Sequence, residues 1–110
     1  MDNGAKIMDI IKNLETLLIK GQDNALLRYS LGNEYIKKNQ FSNAITHLAR
    51  AIDLDPYYSA AWKLYGKALF EINQIDDAIK AYEKGIIVAE KKGDIQAAKE
   101  MRVFLKRLKK

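Results

Sequence analysis

The sequence predicts an all-α protein, a short right-handed α-solenoid of antiparallel helix pairs with a capping helix at each end. The middle of the chain repeats with a period of about 34 residues, so that Gly32 falls on Gly66 and Ala44 on Ala78. Within each repeat, apolar residues recur every three or four positions, the spacing that places them on one face of an α-helix. Hydrophobic residues make up 48% of the 110 residues, and there is one proline. This composition favours one packed domain over residues 1–110 rather than a disordered chain.

The first predicted helix covers about residues 6–20 and acts as the N-terminal cap. Its apolar residues stand at helical spacing, suited to packing on the first repeat: Ile7, Ile10, Ile11, Leu14, Leu17 and Leu18. Asp9 and Lys12 interrupt them, unlike the unbroken apolar core of a signal peptide. No stretch approaches the apolar length that spans a bilayer, so we expect a soluble, cytoplasmic protein without membrane insertion.

The first repeat covers residues 25–58, with helices predicted at about 24–38 and 41–54. Asn39 lies between them, and asparagine tolerates the left-handed conformation that ends a helix. Pro56 separates this repeat from the next, because proline cannot continue a helix but fits the first turn of another.

The second repeat covers residues 59–92, with helices predicted at about 58–72 and 75–92. Asn73 takes the place of Asn39 between them, and Gly93 is expected to end the second helix. Asp76 and Asp77 are adjacent and diverge around a helix, which suits the start of a helix better than a catalytic carboxylate pair.

The last predicted helix covers about residues 94–109 and acts as the C-terminal cap. One arc of it is apolar and would cover the open end of the second repeat: Ala97, Ala98, Met101, Phe104, Leu105 and Leu108. The opposite arc is basic: Lys99, Arg102, Lys106, Lys109 and Lys110. Residues 93–110 carry six Lys/Arg and two Asp/Glu, so they supply four of the five net positive charges.

The repeated residues resemble the tetratricopeptide repeat (TPR) family, whose pattern is W-x2-L-G-x2-Y, then A-x3-F, then P. The second repeat carries Trp62, Tyr65, Gly66, Leu69, Ala78, Tyr82 and Gly85, and the first carries Arg28, Leu31, Gly32, Tyr35, Ala44, Leu48, Ala51 and Pro56. The resemblance covers residues 25–92. It departs from the family pattern at Arg28, where an aromatic residue is usual, and at Glu90, where the proline is missing.

The small and large motif residues also have a direct physical interpretation. Glycine costs up to about 1 kcal/mol inside a helix, so Gly32, Gly66 and Gly85 indicate positions where two helices approach closely. Bulky neighbours are predicted to fill the core beside them: Leu31, Tyr35, Tyr65, Leu69 and Tyr82. Trp62 is interpreted as a core residue rather than a ligand-stacking residue.

Catalytic and metal sites find little support in the sequence. The chain has no cysteine and one histidine, His47, which leaves no pair for zinc binding or nucleophilic catalysis. We expect His47 to be partly exposed and without a functional role. No glycine-rich phosphate loop is present. The sequence therefore predicts a non-enzymatic protein without a metal or cofactor.

The resemblance implies a concave groove lined by the first helix of each repeat. Carried over, the groove positions are Leu26, Tyr29, Asn33, Ile36 and Lys37, then Ala60, Lys63, Lys67, Phe70 and Glu71. Of these, Tyr29, Asn33, Lys37, Lys63, Lys67 and Phe70 are the predicted peptide-binding residues, suited to an acidic peptide or a C-terminal carboxylate beside an apolar side chain. The alternative is that Lys37, Lys63 and Lys67 are only solvated. Of the Lys/Asn/Lys/Arg carboxylate clamp found in some members, Asn33 alone matches clearly.

We therefore expect an adaptor or scaffold whose partner is another protein or peptide. Contact between the basic last helix and nucleic acid or another anionic surface is the less favoured alternative. Self-association through an exposed repeat end is a third, and we expect a monomer or a weak homo-oligomer.

Overall fold

The protein forms six consecutive α-helices in its described range. The computed structural model describes the backbone of residues 3–110 and the side chains of residues 10–110. The helices are α1 (Asn3–Ile19), α2 (Ala25–Lys37), α3 (Phe41–Leu54), α4 (Ser59–Glu71), α5 (Ile75–Lys92) and α6 (Ile95–Leu108). Every predicted helix boundary lies within three residues of the observed one. Over residues 3–110 no helix has the length and apolar character needed to cross a membrane.

Short left-handed turns fold the helices into antiparallel pairs. Asn39 and Asn73 have φ angles of 58° and 65°, and each ends the first helix of its pair, as the sequence predicts. The amide of Gln40 donates to the carbonyl of Tyr35 across the first turn at 2.9 Å. Gly93, with φ 78°, ends α5. Because only three residues link each pair, α3 returns along α2 and α5 along α4.

Glycines sit where the helices cross, and one bulky side chain fills each crossing. A β-carbon at Gly32 would lie 2.5 Å from Leu48, and one at Gly66 would lie 2.7 Å from the ring of Tyr82. Leu48 and Tyr82 are almost fully buried. The predicted close contacts at Gly32 and Gly66 are confirmed.

Most of the bulky residues predicted for the core lie there. Leu31 and Leu69 are buried, and so is Trp62, whose indole N–H donates to the carbonyl of Pro56 at 2.9 Å. Tyr35 and Tyr65 are only half-buried, since both lie at the edge of the packed interior.

The helices form two layers with different spacing. Helices α2, α4 and α6 contact one another in order, whereas no Cα atom of α3 lies within 8 Å of a Cα atom of α5. The first set therefore lines the inner, concave side of a short solenoid, and the second set lies apart on the outer side.

The N-terminal helix covers the first repeat incompletely. Helix α1 packs against α2, with Ile11, Leu14 and Leu18 half-buried. Contrary to the sequence prediction, Ile10 and Leu17 do not pack fully on the repeat, since they are 43% and 36% exposed. The side chain of Ile7 lies outside the described residues.

The C-terminal helix is anchored mainly by its first half. Ala97, Ala98 and Met101 are buried, and the sulfur of Met101 lies 2.6 Å from where a β-carbon at Gly85 would stand. The Ser59 hydroxyl donates to Asp94 at 2.6 Å, which ties α4 to the start of α6 and lowers the pKa of Asp94.

A polar cluster joins α1, α2 and α3. Arg28 takes the place of the aromatic residue usual in the family, and its guanidinium donates to Asp23 at 2.8 Å and to His47 Nδ1 at 3.1 Å. His47 stacks on Tyr35, whose hydroxyl donates to Glu15 of α1. His47 is partly exposed, as predicted, and these contacts leave its side chain 12% exposed.

Candidate peptide-binding groove

The predicted groove residues of α2 differ in how far they are buried. On α2, Tyr29 is half-buried and stacks on Tyr58, with ring centroids 4.9 Å apart, and Asn33 is half-buried. Leu26 is 65% exposed at the start of the same helix. Ile36 does not line the groove as expected, because it is buried in a core cluster with Leu48.

Two of the three predicted lysines are engaged within the protein. Lys37 forms an ion pair with Glu34 at 3.2 Å. Lys63 donates to Glu100 of α6 at 2.7 Å, and this hydrogen bond lowers the pKa of Glu100, with Gln96 contributing further. Lys63 therefore contributes to the contact between α4 and α6 and offers less charge to a ligand than its sequence position suggests.

The other two predicted residues of α4, Lys67 and Phe70, line one small cavity together. This groove cavity has a volume of about 220 Å³ and opens between α4, α5 and α6. Tyr82 of α5 and Phe104 and Arg107 of α6 complete its wall. Phe70 and Phe104 are 44% and 39% exposed, so their rings present apolar surface to the opening. Tyr29, Asn33, Lys37 and Lys63 do not line the cavity.

The cavity arises from a size difference between equivalent helix positions. Ala68 is the tenth residue of α4, where it is buried against α2 and α3, and Phe104 is the tenth residue of α6. The larger ring stacks on Tyr82 at a centroid distance of 5.8 Å and an angle of 11°. A phenylalanine cannot approach the preceding pair as closely as an alanine, so the second half of α6 leaves a gap beside Phe70.

Two cations stand at the groove cavity. Within the described residues, Lys67 and Arg107 form no ion pair. The Arg107 guanidinium lies 5.9 Å from the centroid of the Phe104 ring, an arrangement that holds the charge near the rim. Glu71 also lines the cavity and offsets one of the two charges. Burial, together with Glu71, raises the pKa of Tyr82 to about 12, so its phenol stays neutral and able to donate.

The last helix carries less free charge than its sequence implies. Arg102 pairs with Glu90 at 3.0 Å, and Lys109 pairs with Glu83 at 3.2 Å. Both partners belong to α5, and these exposed ion pairs reduce the charge available to a polyanion. In the described part of the chain, no cluster of three or more His, Asp or Glu side chains has the arrangement of a metal site.

Sequence reasoning did not find the contribution of α6 to the groove. Helix α5 is 18 residues long and α3 is 14 residues long, so the repeat period does not continue into α6. The spacing of Glu100, Phe104 and Arg107 could have indicated it, because residues four and three positions apart lie on one face of a helix. The sequence pattern predicts no role for Glu100 and Arg107, and it predicts that Phe104 lies on the capping surface.

Comparison with known proteins places this geometry among helical repeats. The tetratricopeptide repeat family model matches residues 35–101. A TPR repeat-containing protein of Pseudomonas aeruginosa is 46% identical over 99 residues, which cover 90% of this chain and 94% of that protein. The solution structure of protein BPP2914 from Bordetella parapertussis is 45% identical with a TM-score of 0.79, covering 90% of this chain and 86% of that one.

A second similar structure contains a ligand. The second TPR domain of human RPAP3, determined in complex with the HSP70 peptide SGPTIEEVD, is 25% identical with a TM-score of 0.79. The alignment covers 97% of this chain and 84% of that one.

Proposed function

This chain belongs to the tetratricopeptide repeat family, whose domains are protein-interaction modules, and we propose that its concave groove binds an acidic peptide segment of a partner protein. The observation that carries the proposal is the groove cavity, where aromatic rings and two cations without ion-pair partners in the described chain face one opening. One apolar side chain of the ligand enters between Phe70 and Phe104. A neighbouring carboxylate pairs with Lys67 and Arg107.

Charge and burial both support the assignment of the cations to the ligand carboxylate and of the aromatic rings to its apolar side chain. Lys67 and Arg107 are exposed, so a carboxylate reaches them without breaking an internal ion pair. Lys63 would first have to release Glu100. Burial of the two half-exposed aromatic rings would contribute to the binding free energy about 25 cal/mol per Å² of apolar surface. This hydrophobic contribution is not screened by salt. The ligand of the RPAP3 domain, SGPTIEEVD, combines acidic and aliphatic residues in the same way.

The test is selection of short peptides from a random library on the immobilised protein. We expect the enriched sequences to place Asp or Glu within a few residues of a large aliphatic side chain. The double variant Lys67→Glu with Arg107→Glu should lower the affinity for these peptides by about tenfold or more, because repulsion replaces the charge-assisted hydrogen bonds. Isothermal titration calorimetry measures the change.

The double variant Lys63→Gln with Glu100→Gln is the matched control. It removes an ion pair between the same two helices without changing the net charge, so peptide affinity should change little. Enrichment of basic peptides, or equal affinity of the double variant and the wild type, would contradict the proposal. The far-ultraviolet circular dichroism of each variant shows whether the fold is kept.

A further inference from the structure

A second groove runs along the outer side of the molecule, where α3 and α5 lie apart. It consists of two cavities that share Trp62 and Lys84. The larger one, of about 650 Å³, lies between the end of α3, the turn at Pro56 and α5. The smaller one, of about 190 Å³, continues between α4 and α5 toward Asp77. We call this continuous depression the outer groove.

The outer groove follows one face of α5 for most of its length. The residues of α5 that line this face recur every three or four positions, with two adjacent pairs: Asp77, Lys80, Ala81, Lys84, Ile87, Val88 and Lys91. From Asp77 to Lys91 this face is about 21 Å long at 1.5 Å per residue. The groove therefore matches the length of an α-helix of about four turns laid alongside α5.

The floor and one end of the outer groove are held in place by internal hydrogen bonds. Trp62 forms part of the floor and is fixed by its bond to the Pro56 carbonyl. The backbone amide of Tyr57 donates to the Asp55 carboxylate at 3.0 Å, and its carbonyl accepts from Lys92 at 3.1 Å. The turn that presents the Tyr57 ring is thus preorganised, which lowers the entropy lost on binding.

Apolar side chains stand exposed along this rigid floor. Tyr57 and Ile87 both line the larger cavity and are 56% and 55% exposed. Trp62 lies beneath them, lines both cavities and is only 8% exposed, so it forms the bottom of the groove. A wide apolar floor with projecting side chains on both walls suits the apolar face of an amphipathic helix.

The charges on the rim of the outer groove favour an acidic ligand. Lys80, Lys84 and Lys91 are exposed and form no ion pair with the described residues. Lys84 Nζ lies 5.8 Å from the centroid of the Trp62 ring, which keeps one cation directly over the apolar floor. Two carboxylates, Asp53 and Asp77, also line the groove, so lysines outnumber acids by three to two.

We propose that the outer groove is a second protein-interaction site, which binds an acidic amphipathic helix of a partner protein on the side opposite the concave groove. The apolar face of that helix packs on Tyr57, Trp62 and Ile87. Its carboxylates pair with Lys84 and Lys91. With one ligand in the concave groove and another in the outer groove, the protein would bring two partner segments together.

The experiment titrates the full chain with a synthetic helical peptide of about sixteen residues. Its leucines recur three and four positions apart on one face, glutamates flank them, and it contains no tryptophan. Because Trp62 is the only tryptophan of the protein, its fluorescence and its indole N–H signal in two-dimensional NMR report directly on the outer groove. We expect a saturable change in both signals.

Two sets of variants locate the binding surface. We expect Ile87→Ser to lower the affinity for the peptide by about tenfold or more. The separate double variant Lys84→Glu with Lys91→Glu should have an effect of the same size. All three side chains are exposed, so the fold should be kept, and Tyr57→Ser provides an independent second variant. The concave-groove variant Lys67→Glu with Arg107→Glu should bind the peptide as the wild type does, which separates this proposal from the preceding one.

Several results would overturn the proposal. One is equal binding of a peptide with lysine in place of glutamate, or of one whose leucines are scrambled off a single face. Equal binding of polyglutamate would show a simple polyanion surface instead. Concentration-dependent dimers in analytical ultracentrifugation that Ile87→Ser abolishes would show that a second copy of the chain occupies the groove. An unchanged Trp62 signal at saturating peptide would exclude the site.

Discussion

At Gly66, α4 crosses α5 with no room for a side chain. Alanine there would gain up to about 1 kcal/mol of helix propensity, but its β-carbon would meet the fixed ring of Tyr82 at 2.7 Å. Overpacking in a tight core typically costs about 1–3 kcal/mol, so we expect Gly66→Ala to destabilise the protein. Urea unfolding measures the difference. Lys67→Ala, at the next and exposed position, should stay within about 0.5 kcal/mol of the wild type.

His47 makes stability depend on pH. Arginine can only donate, so Arg28 requires His47 Nδ1 to accept and places the imidazole proton on Nε2, which faces Glu15. Burial, and then the charge of Arg28, lower the pKa of His47 from its ordinary 6.5, although Glu15 and Asp23 act in the opposite direction. Below pH 6.5 the unfolded chain therefore binds a proton that the folded chain does not.

The expected result is a loss of stability as the pH falls below about 6.5, with full stability above it. His47→Gln should remove this part of the pH dependence, and thermal unfolding of both proteins between neutral and mildly acidic pH measures it. Parallel curves for the two proteins over that range would contradict the assignment. The lowered pKa values of Asp23 and Asp94 act at lower pH, because their stabilisation disappears only as those carboxylates become protonated.

Helix α6 depends on one side chain more than on the rest of its apolar arc. Met101 is fully buried against Gly85, whereas Phe104 is 39% exposed. Truncation of a buried methionine costs about 2–5 kcal/mol, so Met101→Ala should destabilise strongly, and Phe104→Ala should cost less. Deleting everything after Gly93 should expose the second repeat and abolish cooperative unfolding. Chemical denaturation of the three proteins tests the order.

The basic arc of α6 provides the control for that comparison. Lys99, Arg102 and Lys106 are exposed, so changing all three to glutamine should scarcely alter stability. If this variant stays folded but loses a salt-sensitive affinity for a polyanion that the wild type holds, the tail has a binding role of its own. The ion pair between Arg102 and Glu90 argues that part of this charge serves the contact with α5 instead.

The helices were predictable from the sequence because their signals are local. The left-handed asparagines and the motif glycines each report on a single turn or a single crossing, so the repeat period was enough to locate α2 to α5. The groove was less predictable, since it depends on which side chains meet across helices. The pairing of Lys63 with Glu100 and the stacking of Phe104 on Tyr82 join residues from helices whose relative register the repeat does not determine.

Stability should be distributed unevenly along the whole molecule. Each helix contacts only its neighbours in sequence or, on the inner side, the helix after next. In such an array the stability of each helix depends on its own contacts, and the ends open first. The main core cluster joins α3, α4, α5 and α6, with Trp62, Tyr82 and Met101 at its centre. Helix α1, in contrast, contacts α2 and leaves Ile10 and Leu17 exposed.

Native-state hydrogen exchange measures this distribution directly. We expect the amides of α4 and α5 to exchange only through global unfolding, and those of α1 to exchange through a local opening of lower free energy. Glu15 is the polar residue that links α1 to Tyr35 and His47, so Glu15→Gln should accelerate exchange in α1 while leaving α5 unchanged. Met101→Ala should have the complementary effect, because it loosens α6 and α5 first. Equal protection of all six helices would show that the molecule unfolds as one cooperative unit and that its nearest-neighbour contacts do not set local stability.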